Sequence, residues 1–154
     1  LPKRVLAAFV KSTAYNGAPN ENSFNFEHFN IEEICLYKDG EAFPRPPIKA
    51  DFKNNNYVEA YHHFMHSLQA SYTPNCPDIS LSEYGNGFTI FSWDLSPDQY
   101  GSENHSVIAN QASDIRLDVR FGKALEKPVT LLLYHELDLR VTFDKAKEVL
   151  CETV

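Results

Sequence analysis

The chain has few cysteines, and they are far apart. Its 154 residues contain Cys35, Cys76 and Cys151, an odd number with no tight spacing. Small disulfide-stapled proteins need even sets of cysteines, and disulfides are rare in reducing compartments. The cysteine content therefore argues against a disulfide framework and weakly favours a reducing environment.

Long apolar runs and basic clusters are missing as well. The longest apolar run, VTLLLY, has the length of a strand and falls far short of the ~20 residues of a membrane span. The net charge is −7 without a cluster of Lys or Arg, so little would be gained from counterion release on DNA or RNA. We therefore expect no membrane partner and no specific nucleic-acid partner. No signal peptide or glycine-rich phosphate loop is recognisable.

Aromatic residues and period-two patterns are abundant. Aromatic residues make up 13% of the chain, with 11 Phe and 8 Tyr, and such residues favour strands. The segments DIRLDVRF and VTLLLYHELDLRVTF alternate over their whole length, which is typical of antiparallel sheets with one buried face. We predict that these two segments are adjacent antiparallel strands, with Leu117, Val119, Leu131 and Leu133 buried.

The first half of the chain predicts further strands and one helix. Residues Arg4 to Val10 form an apolar strand, and Asp39-Gly40 is a hairpin signal. PRPPIK is expected to be an extended linker or an edge strand. NYVEAYHHFMHSL has helical spacing, with Asn56 and Glu59 as a possible cap. Long loops are expected at about 73–85 and 96–113, as insertions at one end of the fold.

These elements predict the fold class. Five or six strands, one helix and long loops indicate an all-β protein, an antiparallel jelly-roll sandwich with one inserted helix, in a single domain over residues 1–154. A complete jelly roll has eight strands. The predicted count is therefore short of a complete jelly roll.

The histidines of the predicted helix raise the possibility of a metal site. His62 and His66 lie one helical turn apart, and His63 is beside them. A metal site needs a third ligand, and the H-E-x-x-H order of zinc proteases is absent. A solvated helix face is the favoured interpretation.

Other candidate groups have structural interpretations too. Cys35 alternates within a strand, where a free cysteine packs as a small apolar residue. A nucleophilic role for Cys35 is the less favoured alternative. The aromatics of FNFEHFN fit core or interface contacts better than a stacking platform for bases or sugars. Four acids flanking the second long loop lack the spacing of a calcium loop: Asp94, Asp98, Glu103 and Asp114. No catalytic, cofactor-binding or metal residue is assigned, no cofactor is expected, and the chain is predicted not to be an enzyme.

Five blocks in order carry a family resemblance: LPKRVLAAFVKSTAYNG, NSFNFEHFNIEEICLYKDGEAFP, KADFKNNNYVEAYHHF, GFTIFSWDLSPD and DIRLDVRFGKALEKPVTLLLYHELDLRVTFD. Together they resemble the C-terminal part of double jelly-roll major capsid proteins of Polinton (Maverick) elements and adintovirus-like viruses. They also resemble related virus-derived, endogenous proteins in animal genomes. The resemblance implies a structural virion protein whose subunits form pseudo-hexagonal trimers and a larger shell, assembled inside the host cell.

The resemblance also predicts what completes the domain. In that family a first jelly roll and an early strand of the second precede the matching part, so Leu1 would be an internal position. We expect the upstream part of the same subunit to donate β-strand pairing, with the junction at Arg4 to Val10. The alternative is a stand-alone or domesticated β-sandwich that binds a glycan or protein ligand. A hydrolase using Cys35 ranks last.

Overall fold

The computed structural model describes residues 1–68, 77–96, 113–137, 139–145 and 147–153. Two antiparallel three-stranded sheets share one core, which confirms the predicted all-β sandwich. Sheet 1 has the order β4-β1-β6, and sheet 2 has the order β3-β2-β5. A third, two-stranded sheet is formed by β7 and β8. The strands are β1 (Arg4–Lys11), β2 (Ile31–Lys38), β3 (Glu41–Lys49), β4 (Ile90–Asp94), β5 (Ile115–Phe121), β6 (Val129–Glu136), β7 (Leu139–Phe143) and β8 (Val149–Thr153).

The strand order of the two main sheets fits a jelly roll without its first two strands. In an eight-stranded jelly roll, one sheet contains the first, eighth, third and sixth strands, and the other contains the second, seventh, fourth and fifth. If the first two strands are removed, one sheet keeps the order eighth, third, sixth, and the other keeps the order seventh, fourth, fifth. Renumbered from the third strand, these orders are β6-β1-β4 and β5-β2-β3, as observed. The strands that lose a neighbour are β5 and β6.

The helices lie where long connections leave the sheets. They are α1 (Ser12–Tyr15), α2 (Val58–Ser67) and α3 (Leu81–Tyr84), with a 3-10 turn at Phe52–Asn54. Helix α2 confirms the predicted helix, but its N-cap is Tyr57 and no side chain caps it. The prediction that Asn56 caps this helix was therefore wrong. The predicted long loops fall partly outside the described residues, at 69–76 and 97–112.

The predicted hairpin joins β2 to β3. Asp39 and Gly40 both have positive φ, 51° and 84°, as a two-residue turn matching the strand twist requires. PRPPIK is part of β3, at one edge of sheet 2. This position agrees with the edge interpretation, because proline cannot donate to the ladder of a central strand.

The predicted pairing of the two most regular segments was wrong. β5 pairs with β2, which places Leu117 opposite Leu36. β6 pairs with β1, which places Leu133 opposite Ala7. The two strands belong to different sheets because the connection over residues 122–128 crosses the sandwich. Alternation identifies which side chains share a face but not which strand lies alongside.

Two further expectations need correction. The long alternating run is not one strand, because it is divided into β6 and β7. The first strand is not an edge, because β1 lies between β4 and β6 and has a partner on both sides. The unpaired edge expected at Arg4 to Val10 is therefore not there.

Candidate interaction surface

The three histidines of α2 lie on different parts of the helix surface. Among the described residues, no group of three or more metal-ligating side chains comes together. The pKa of His63 is lowered to about 4, mainly by burial and to a smaller extent by the neighbouring His66 and His62. His62 is exposed, and its ring stacks on His66 at a centroid distance of 6.1 Å. The side chains thus differ in environment, and His63 is a neutral, mostly buried group.

Cys35 is enclosed rather than presented to solvent. Its side chain is 3% exposed, and its thiol donates to the carbonyl oxygen of Leu36 at 3.5 Å. Burial raises the pKa of the thiol, and the nearby carboxylates of Asp118 and Glu33 raise it further. A thiol held protonated is a poor nucleophile. The packing interpretation of Cys35 agrees with this environment.

The remaining candidates are dispersed. Asp94 is buried, and its carboxylate accepts from the backbone N–H of Ser96 at 3.0 Å. Asp114 donates its backbone N–H to the carboxylate of Asp39 at 3.0 Å, while Asp98 and Glu103 lie outside the described residues. In FNFEHFN, Phe24 is exposed and contacts Phe26 edge to face at 6.4 Å.

A more distinctive feature is that the sandwich is closed on one side and open on the other. Helix α2 packs against both β3 and β4, so these two edge strands lie on the same side of the molecule. The opposite edges of the two sheets are β5 and β6. We call these the closed side (β3, β4 and α2) and the open side (β5 and β6).

On the open side, core-facing leucines of β6 are accessible to solvent. The register places Leu131 opposite Phe9 and Leu133 opposite Ala7, and antiparallel partners point to the same face of a sheet. Phe9 and Ala7 are buried in the core, yet Leu131 is 38% exposed and Leu133 is 49% exposed. Both leucines therefore face the interior, but the part of the chain that the structure describes covers them incompletely. The prediction that they are buried was wrong for this reason.

β5 shows the same incomplete closure to a smaller degree. Its alternation is confirmed: Ile115, Leu117, Val119 and Phe121 pack against the core, but each is only partly buried. Its other face is charged and exposed, with the guanidinium of Arg120 3.2 Å from the carboxylate of Glu33. β5 therefore lacks part of the cover that an internal strand has.

The edges of the two sides also differ in their protection. Proteins block sheet edges with prolines, charges or a covering helix, because unpaired backbone groups invite pairing with another chain. β3 contains Pro44, Pro46 and Pro47, and α2 packs against β4. β6, with the sequence VTLLLYHE, has neither proline nor lysine. Its free edge is thus suited to accept a strand.

The β7–β8 hairpin adds exposed apolar surface. Phe143 pairs with Val149, so these side chains and Val141 share a face. They are 70%, 55% and 42% exposed, respectively, and Leu150 is 58% exposed. A two-stranded hairpin alone is marginally stable in water.

Sequence reasoning missed the open side, although a signal was present. Leu131, Leu132 and Leu133 occupy both faces of β6, and a run that is apolar on both faces is typical of a strand that is covered on both faces rather than on one.

Over most of its own length, the chain is similar to a known animal protein. An uncharacterized protein of Caenorhabditis elegans is 28% identical over 123 residues, which cover 78% of this chain and 29% of the relative. The chain therefore matches less than a third of that protein's length. No protein-family model and no solved structure matches the chain. Among the described residues, no helix has the length and apolarity needed to cross a membrane.

Proposed function

We propose that this chain is the C-terminal jelly roll of a structural capsid subunit, which self-associates into pseudo-hexagonal trimers of a larger shell. The observation that carries the proposal is the strand order, which is that of a jelly roll without its first two strands. The sequence resemblance to double jelly-roll capsid proteins supports it. In such a subunit the upstream part of the chain supplies both strands, one beside β6 and one beside β5.

The chemistry of the open side supports this arrangement. An added strand beside β6 would pair its free backbone groups and cover Leu131 and Leu133. At ~25 cal/mol per Å² of apolar surface, completing the burial of two half-exposed leucines contributes about 2 kcal/mol. Backbone pairing along a whole strand adds to this gain. A net stability of ~5–15 kcal/mol is typical for a domain, so the contribution is substantial.

The length of the relative fits a longer subunit. The matched region is only 29% of the C. elegans protein, so a protein of this kind has room for a further domain. A structural role also needs no catalytic group, which agrees with the enclosed Cys35 and the neutral His63. The exposed apolar residues of the β7–β8 hairpin would supply further contact surface between subunits.

Two versions of the protein test this proposal. Residues 1–154 are expressed alone and together with the upstream part of the native reading frame. Sedimentation and electron microscopy then report their size and shape. We expect the longer protein to form trimers, and residues 1–154 alone to bind the separately expressed upstream segment.

A pair of adjacent substitutions makes the test specific. Leu133→Asp places a charge in the expected strand contact and should abolish binding of the upstream segment. Tyr134→Asp, on the opposite face of β6 and 61% exposed, is the matched control and should retain binding. A longer protein that stays monomeric, with both variants behaving alike, would reject the capsid proposal. It would favour a stand-alone binding module.

A further inference from the structure

A cleft at one end of the sandwich is separate from the open side's leucines. It has a volume of about 580 Å³ and is lined by Asn25, by the segments 27–30, 85–87 and 123–127, and by Lys11 at the end of β1. Small-molecule sites usually occupy about 300–1,000 Å³. We propose that this cleft binds a neutral saccharide, a property that does not depend on shell assembly.

The wall of the cleft before β2 is held in an unusual backbone conformation. Phe29 and Asn30 have φ values of 45° and 56°, which are uncommon for residues other than glycine. His28 holds this turn: its Nδ1 accepts from the N–H of Asn30 at 2.9 Å, and its ring stacks on Phe52 at 4.2 Å. The carbonyl of Asn30 also accepts from the N–H of Gly122 at 2.8 Å. The wall is therefore preorganised, which lowers the entropy cost of binding.

The charges in the cleft are largely paired, and this favours a neutral ligand. The ammonium of Lys11 lies 2.6 Å from the carboxylate of Glu27, and Lys123 lies 3.0 Å from Glu126. Lys127 also lines the cleft, so an anion would have to compete with these carboxylates for two of the three lysines. A cation would have to compete with the lysines for the carboxylates.

Donors and acceptors are close together on one wall, as hydroxyl groups require. The side-chain amide of Asn25 donates to Glu27 at 2.9 Å, which leaves the amide oxygen and further carboxylate lone pairs as acceptors. Asn86 also lines the cleft, and its side-chain amide donates to the carbonyl oxygen of Ser82 at 2.8 Å. A hydroxyl both donates and accepts, so a ring carrying several hydroxyls matches a wall of amides and carboxylates.

The cleft also offers an apolar surface for the C–H face of a sugar ring. Leu125 lies in the lining and is 43% exposed, and Phe29 contributes to the same lining. A lining that combines apolar surface with several polar side chains suits the two-sided ring of a saccharide better than a purely apolar peptide side chain.

Saturation-transfer NMR with defined sugars tests the inference on the folded protein. The probes are neutral oligomers of glucose, mannose, galactose and N-acetylglucosamine, with sialyllactose as the anionic comparison. We expect at least one neutral oligomer to bind. Asn25→Ala should weaken that binding by about tenfold, since a lost hydrogen bond to a ligand is worth ~1.4 kcal/mol.

Asn20→Ala is the matched control, because Asn20 is exposed on the same connection but does not line the cleft. It should bind the same oligomer as tightly as the unmodified protein. Failure of every neutral oligomer at millimolar concentration would overturn the inference. So would binding of sialyllactose alone, equal binding by the Asn25→Ala variant, or a protein segment filling the cleft in the native assembly. Trimer formation is measured separately, so each proposal can fail without the other.

Discussion

The closed and open sides of the sandwich contain similar kinds of residues but bury them very differently. On the closed side, Trp93 and Tyr84 are 0% exposed and Phe64 is 2% exposed. On the open side, Leu133 faces the same interior and is 49% exposed. The difference arises from neighbours, because α2 packs against β3 and β4, whereas the helix that packs against β6 among the described residues, α1, has only four residues. Burial here depends on sheet position more than on residue type.

The comparison also distinguishes protected from unprotected edges. The prolines of β3 and the helix packed on β4 prevent further strand pairing on the closed side. β5 and β6 contain no proline, and of the two only β5 carries several charged residues, on its outer face. Further strand pairing is thus hindered at β3 and β4 and easier at β5 and β6. This difference is consistent with strand pairing on the open side in the assembled protein.

The largest expected loss of stability follows from a substitution in the core of the closed side. Trp93→Ala removes a fully buried ring and should lower the free energy of unfolding by about 3–5 kcal/mol, as large-to-small core substitutions of aromatic residues do. Urea unfolding followed by far-UV circular dichroism measures this loss. A loss below about 1 kcal/mol, on the same scale, would mean that the closed side is not the stable part of the core.

A pH-dependent effect of intermediate size is expected at His63, also on the closed side. Its pKa is lowered to about 4 in the folded protein, whereas an unfolded histidine titrates near ~6.5. The stability linked to neutral His63 is therefore complete above about pH 6.5 and is lost as the pH falls towards about 4. The difference of roughly 2.5 pKa units corresponds to about 3 kcal/mol.

Comparison with His63→Gln isolates this contribution, because glutamine keeps a donor for the backbone carbonyl of Ser92 but does not titrate. Between about pH 7 and pH 4, the unmodified chain should lose about 3 kcal/mol more stability than the variant. Urea unfolding at each pH gives both values. Parallel pH profiles for the two proteins would show that His63 is not buried in its neutral form.

The smallest loss of stability is expected for a substitution on the open side. Leu133→Ala in residues 1–154 alone should cost about 1 kcal/mol or less, because half of the side chain is already in water. In the assembled protein, where an added strand covers Leu133, the same substitution should cost about 2–3 kcal/mol. Equal costs in the two forms, measured by urea unfolding, would remove the distinction between an isolated and a completed open side.

Local features of this fold were predictable from the sequence, because they depend on neighbouring residues. The turn at Asp39-Gly40 is predictable because an Asp-Gly pair tolerates positive φ. Helix α2 is predictable from its helical spacing, and the alternation of β5 from its own side chains. The partners of β5 and β6 were not predictable in this way, since they lie far along the chain. The exposure of Leu131 and Leu133 could not be predicted either, because it depends on a neighbour that the strand's own pattern does not identify. The cleft likewise combines Asn25, Gly87 and Lys123 from three separate connections.

The most direct test of the central claim is electron cryomicroscopy of the protein isolated from its native source, with attention to the free edges of β5 and β6. Our account predicts one additional strand antiparallel to β6 and another antiparallel to β5, both from the upstream part of the same subunit, with Leu131 and Leu133 buried beneath them. Free edges exposed to solvent, or a β6 edge occupied by the chain's own β7–β8 hairpin, would contradict it.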